Sequence, residues 1–211
     1  SGSSGTIVST GLGSTGVGTG SINYVLDLDG TNDYVSLPNS INMGTSDFTL
    51  SIWLKTDDTG SRQHVFQQTG SNDNRVIAIN SGGSLTSRLG GSGSDHVSGV
   101  TLSTDTWYHI VLVHDNSANT LKWYVNGTEQ NTNTSVNVPS NTGTFYLGTN
   151  SDANDKYFNG QIDEVRIWDD VRTAAEITDN KDDELVGNES GLVAYYKMSD
   201  GTGTTLTDNS S

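Results

Sequence analysis

The chain has 211 residues, 31% of them hydrophobic and 17% charged, a net charge of -15 and no cysteine. That length suffices for one large all-β domain with a true core. The acidity excludes nucleic acid and anionic membrane surfaces as partners and favours cations, while the lack of cysteine excludes disulfides, thiolate metal sites and cysteine nucleophiles.

Residues 1–21 are rich in Gly, Ser and Thr and read as a linker or a loosely held edge segment, with Ser1–Gly5 as a cloning scar or part of that linker. From Ile22 the pattern changes. "INYVLDLDG" alternates Leu26 and Leu28 before a turn at Asp29-Gly30, and "DYVSLP" alternates Val35 and Leu37. "DFTLSIWLKTDD" is the clearest strand. Phe48, Leu50, Ile52 and Leu54 share one face, and Thr49, Ser51, Trp53 and Lys55 share the other. "QHVFQQ", "RVIAIN", "SLTSRLG" and "SGVTLS" follow at short intervals. "TWYHIVLVHD" is apolar on both faces, as in a central strand, and "NTLKWYVNG" alternates Leu121, Trp123 and Val125 before a turn at Asn126-Gly127. "GTFYLGT" and "GQIDEVRIWD" come next. Thr173 and Glu176 then form a capping box, which predicts a short helix near 174–182. The last strand is "SGLVAYYKMSD", with Leu192, Ala194, Tyr196 and Met198 alternating as if buried. Many short strands with regular turns predict an antiparallel sandwich or barrel, and the lack of alternating helices excludes a parallel α/β sheet. Residues 22–211 read as one domain. No segment holds the ~18 consecutive apolar residues of a membrane span, and no signal peptide is visible, as in an excised piece of a longer protein.

The segments "LDLDGTNDYVSLP", "DFTLSIWLKT", "WYHIVLVHDNSANTLKWYVNG", "YLGTN" and "FNGQIDEVRIWDDVRTAAEI" follow one another as in laminin-G-like domains. The chain resembles the bacterial branch of that family, within the concanavalin A-like lectin/glucanase jelly rolls, over roughly residues 22–178. The resemblance implies a two-sheet antiparallel jelly roll, often with a structural calcium ion. It also implies that Asp163, in the strand "IDEV", reaches an ion near the early Asp-Gly turn, where Asp29 and Asn32 would supply further oxygens. Ca²⁺ takes about six to eight such ligands. The alternative for Asp163 is a turn cap made through backbone N–H groups. By family position Trp53, Trp107 and Trp168 fall at core aromatic sites, and the alternation around Trp123 also argues for burial.

Asp163 and Glu164 are neighbours in a strand, so without a bulge they point to opposite faces. Glycosidases need two carboxyls across one bond, ~5 Å apart for retention and further for inversion. Jelly-roll glucanases space theirs at alternate positions of one strand. Here Gln161 and Val165 flank Asp163 at those positions, which argues against catalysis. Glu164 reads as a solvated acid beside Arg166, of little energetic weight.

Two loops carry candidate ligand-binding residues: Asn72 and Asp73 in one, Asp152, Asn154 and Asp155 in the other, with Tyr157 beside the second. Such residues can hold a second calcium that grips sugar hydroxyls, or serve only as turn residues. His109 and His114 are five apart and face opposite ways, and no pair of histidines has zinc spacing. No nucleophile elbow or phosphate loop is present.

The expectation is therefore a non-catalytic, calcium-stabilised jelly-roll module of a secreted or cell-surface bacterial protein. It would be monomeric, attached to neighbouring modules, and would bind carbohydrate or a cell-surface glycan, as an adhesin or an enzyme appendage does. A spacer or protein-contact module without a sugar site is the alternative, and a polysaccharide-active enzyme on the same fold is a third reading.

Overall fold

The computed structural model describes residues 5–8, 24–38, 41, 46–69, 75–89, 95–136, 138, 143–150, 156–201 and 203–211. In chain order the strands are β1 (Gly5–Val8), β2 (Leu26–Asp29), β3 (Tyr34–Leu37), β4 (Phe48–Thr56), β5 (Gln63–Gln68), β6 (Arg75–Ile79), β7 (Ser84–Leu89) and β8 (His96–Thr101). They continue as β9 (Trp107–Asp115), β10 (Thr120–Val125), β11 (Thr128–Thr134), β12 (Phe145–Leu147) and β13 (Asn159–Trp168). After the helix α1 (Ala174–Asn180) come β14 (Leu192–Tyr196) and β15 (Thr205–Leu206).

Among the described residues these strands form two antiparallel sheets. The first runs β15-β1-β3-β12-β5-β6-β7-β8, and the second runs β11-β10-β9-β4-β13-β14, with β2 also paired to β13. This is the all-β two-sheet jelly-roll sandwich that the family resemblance implied, within the sandwich-or-barrel class expected from the strand spacing. The inward faces meet in one core that includes Phe48, Leu50, Ile52, Phe66, Ile110, Leu112, Trp123, Phe145, Ile162 and Val165. Each such side chain contributes about 1.5–3 kcal/mol through removal from water. Trp123 is fully buried there, as its alternation predicts.

β13 is the hub of the second sheet. It pairs with β4 on one side and with both β2 and β14 on the other. β2 takes the stretch from Asn159 to Ile162, and β14 takes Val165 to Trp168, so the two lie end to end along one edge. β13 also lies close against β4. At Gly160 (φ +146°) an added Cβ would sit 2.1 Å from the Lys55 carbonyl oxygen, so only glycine fits.

Two expectations change here. Gly5–Val8, placed in a linker or edge segment, supplies β1 and lies between β15 and β3. From β14 and the residues just after it, Ala194, Tyr196 and Met198 enter the core as expected, but Leu192 does not. A register shift at Ile167/Trp168 turns it toward Trp168 on the outside of the sheet.

The helix starts at its capping box: the Thr173 hydroxyl accepts from the Glu176 N–H, and the Glu176 carboxylate accepts from the Thr173 N–H at 2.8 Å. It lies on the outer face of the second sheet, where Ile177 packs with Val111, Val113 and Tyr124.

Candidate functional site

The outer face of the second sheet is built in rows set by strand register. Asp27, Gln161, Lys55 and Trp107 form one row across β2, β13, β4 and β9. Asp163, Trp53 and His109 form the next, then Arg166, Ser51 and Val111, then Trp168, Thr49 and Val113. The helix and residues 181–189 cover the last two rows, whose side chains are buried. The rows of Lys55–Trp107 and Asp163–Trp53 stay half-open. Over them lies a groove of about 550 Å³, lined by Trp53, Trp107, Asp163, Glu164, Asp183 and Lys197 among others. That volume is in the usual range for small-molecule sites.

A β-bulge forms the groove floor. Asp163 stands opposite Trp53 and Arg166 opposite Ser51, so β13 has one residue more than β4 between these pairs. Glu164 takes up the extra residue with φ +49°, a left-handed conformation that costs a residue with a Cβ about 1–2 kcal/mol. As a result Asp163 and Glu164 line the same groove while Val165 returns to the core. This corrects the expectation of opposite faces. The sequence carried a signal for it: the inward residues Ile162 and Val165 are three apart, which an unbroken strand does not allow.

The bulge is locked by Arg166, whose side chain is 2% exposed. Its guanidinium donates to the Glu164 carboxylate at 2.5 Å and 3.2 Å, to the Asn180 carbonyl at 2.7 Å, and to the Asp183 carbonyl. The Tyr195 hydroxyl donates to the same Glu164 oxygen at 2.6 Å. Burial and the Glu164 charge push the Tyr195 phenol well up, so it stays a donor. Glu164 is thus a buried partner of Arg166 and Tyr195 rather than a solvated acid. Arg166 ties the end of α1 and the 181–184 segment to the sheet and so builds the groove wall.

Asp163 is the acid left over. Its carboxylate accepts the Glu164 backbone N–H at 2.9 Å and has no ion pair among the described residues. Burial first, then the charge of Glu164, push its pKa up to about 7. On the wall, Lys181 pairs with Asp182, and Lys197 pairs with Glu184 at 3.3 Å. Asp183 has no such partner among the described residues.

The aromatic part is rigid. The Trp53 indole N–H donates to the Lys181 carbonyl at 2.8 Å, and its ring lies 5.3 Å from that of His109. Trp107 carries the Lys55 ammonium 5.9 Å from its ring centroid. Both indoles are half-buried on the outer face, not in the sandwich core, which corrects the core assignment. Trp168 also lies on the outer side, buried in a satellite cluster with Leu185 and Tyr195. His109, 2% exposed, meets the Ser51 hydroxyl at 2.8 Å through Nε2, and burial pushes its pKa down to about 4. His114 faces the other way and stacks on Phe48, as the spacing predicts.

A family model, Laminin_G_3, described as the Concanavalin A-like lectin/glucanases superfamily, matches residues 29–178. The chain belongs to that family. No match was found among curated proteins. Among solved structures, this laminin-G-like chain is similar to a candidate carbohydrate binding protein from Bacteroides ovatus, with TM-score 0.68 and 21% identity over 87% of this chain. The chain spans 58% of that protein. It is also similar to domain 4 of AbnA, a GH43 extracellular arabinanase from Geobacillus stearothermophilus, in complex with arabinotriose. There the TM-score is 0.65 and the identity 24%, over 84% of this chain and 87% of that one. A SAP-like pentraxin from Limulus polyphemus matches at TM-score 0.58 and 16% identity, over 72% of this chain and 78% of that one. At these identities the likeness is one of fold.

In this laminin-G-like domain Asp29 and Asn32, named with Asp163 by the resemblance as calcium ligands, stand at a different point of β13 from Asp163. Asp29 pairs with Asn159, four residues along β13 from Asp163. That is ~13 Å in strand geometry, too far for one ion. Asp29 instead accepts the Thr31 N–H at 2.8 Å, a turn contact, and Asn32 is exposed beside it. Asp163 makes the backbone cap that was its alternative reading. Among the described residues no three Asp, Glu, His or Cys side chains gather as metal ligands. Asn72, Asp73, Asp152, Asn154 and Asp155 lie outside the described residues. Tyr157 is half-buried next to β13 and takes no part in lining the groove.

Proposed function

We propose that this domain is a non-catalytic carbohydrate-binding module of an extracellular protein, and that the Trp53–Trp107 groove is its sugar site. The observation that carries the reading is a pair of fixed, half-buried indoles beside free carboxylates in an open groove. Sugar rings use such a site by resting their C–H faces on the aromatic rings while their hydroxyls donate to the acids. Two of the similar structures are a candidate carbohydrate binding protein and an arabinanase domain in complex with arabinotriose, which supports the class of ligand. The Asp163–Glu164 pair is not set for hydrolysis. Glu164 is held by Arg166 and Tyr195, so Asp163 has no second free carboxyl from its own strand to act with.

The test is calorimetric titration of the domain with a panel of plant and microbial oligosaccharides. At least one should bind saturably, Trp107→Ala should weaken it by about tenfold or more, and EDTA should leave it unchanged. Failure of every oligosaccharide to bind, unaltered affinity in Trp107→Ala, or release of reducing sugar would overturn the reading.

A further inference from the structure

Charge inside the groove narrows the class of sugar, an inference that rests on the carbohydrate reading above. Three of its acids already have cations: Glu164 has Arg166, Asp182 has Lys181, and Glu184 has Lys197. Asp163 and Asp183 have none among the described residues, so the groove presents two uncompensated carboxylates to a ligand. The whole chain adds to this with a net charge of -15. A uronic or sulfated saccharide would be repelled at long range and again at the floor. A neutral sugar would leave the Asp163 charge uncompensated. A cation at that point does what solvent no longer does there, and its presence would bring the carboxyl back toward the ordinary aspartate range.

We propose that the groove selects saccharides bearing a free, protonated amine, such as 2-amino-2-deoxyhexose units without N-acetyl groups, and seats the ammonium on Asp163 beside Trp53. The sugar rings then lie along the indoles, and Asp183 faces the next residue of the saccharide. N-Acetylation removes the charge and adds bulk, so the same backbone with acetylated amines is discriminated against.

The experiment is titration of the domain, at neutral pH and low salt, with glucosamine, N-acetylglucosamine and glucose trisaccharides of one linkage. The glucosamine form should bind about tenfold tighter than either other, the size of one charge-assisted hydrogen bond, and added salt should shrink the difference. Asp163→Asn should abolish that preference, while Trp107→Ala weakens all three. The wild-type comparison decides by itself, whatever the variants do. Equal or tighter binding of the N-acetylated or glucose form would overturn the amine selection while leaving the carbohydrate reading standing. A preference that survives Asp163→Asn would overturn the seat assigned to the ammonium. A lysine-rich peptide that binds where the amino sugar does not would overturn the saccharide class, and no binding by any oligosaccharide would overturn both proposals.

Discussion

The outer face of the second sheet has a covered half and an open half, built from adjacent rows of the same strands. In the covered half, Ser51, His109, Val111, Arg166 and Trp168 lie under α1 and the segment after it, nearly solvent-free. In the open half, Trp53, Lys55, Trp107 and Asp163 keep part of their surface in water. The strands supply similar mixtures of polar and aromatic residues to both. What separates them is one inserted residue at Glu164 and one guanidinium at Arg166. The bulge turns two acids outward, and Arg166 uses one of them, with the carbonyls of Asn180 and Asp183, to fix the boundary of the cover. A site here is what remains when a cover stops short.

Breaking the boundary gives the largest expected effect. Arg166→Ala would leave Glu164 buried without its cation and free the 181–184 segment. A loss of about 3–5 kcal/mol is expected, measured as a fall in the urea midpoint at constant slope. Groove binding should vanish with it.

The two halves should also titrate in opposite senses. Asp163 in the open half has a folded pKa near 7, above that of an unfolded aspartate. Its ionisation opposes folding, so stability falls as pH rises from the ordinary aspartate range through about 7. His109 in the covered half is depressed to about 4, below an unfolded histidine. Its contribution is complete above the ordinary histidine range and is lost as pH falls through about 4. Asp163→Asn should therefore raise stability above neutral pH by up to about 4 kcal/mol, and His109→Gln should flatten the acid limb by up to about 3 kcal/mol. Melting curves across pH check both. Stability gained at the same end of the pH range in both variants would show that the halves do not differ as described.

The smallest effect sharpens the comparison from the side of the cover. Thr173→Ala removes the hydroxyl of the capping box and should cost about 1 kcal/mol. It should loosen α1 in hydrogen exchange while groove affinity stays the same, because Arg166 and not the helix start holds the wall.

Much of the fold was legible because strand alternation and turn residues report it directly. β4, β10 and the capping box at Thr173 stand where their patterns put them. The site was less legible, for reasons of geometry. A period-two reading of "IDEV" puts Asp163 and Glu164 on opposite faces, and only the odd spacing of Ile162 and Val165 betrays the bulge. Trp53 and Trp107 were assigned to the core because aromatics usually fill it, although the polar residues sharing Trp53's face already placed it outside. The role of Arg166 depends on carbonyls from a segment whose path no local pattern encodes. Asp29 and Asp163 looked joinable because the resemblance put the early Asp-Gly turn near the "IDEV" strand, but the register between β2 and β13 was not readable.

The distance along the chain between paired strands sets when this molecule can become itself. Gly5 pairs with Leu206 in one sheet, and β2 waits for β13 in the other. Neither layer can close until strands far apart in the sequence have both been made. Contacts this distant along the chain make for slow folding, and until they form, β4 and β9 expose apolar faces to whatever else the cell contains.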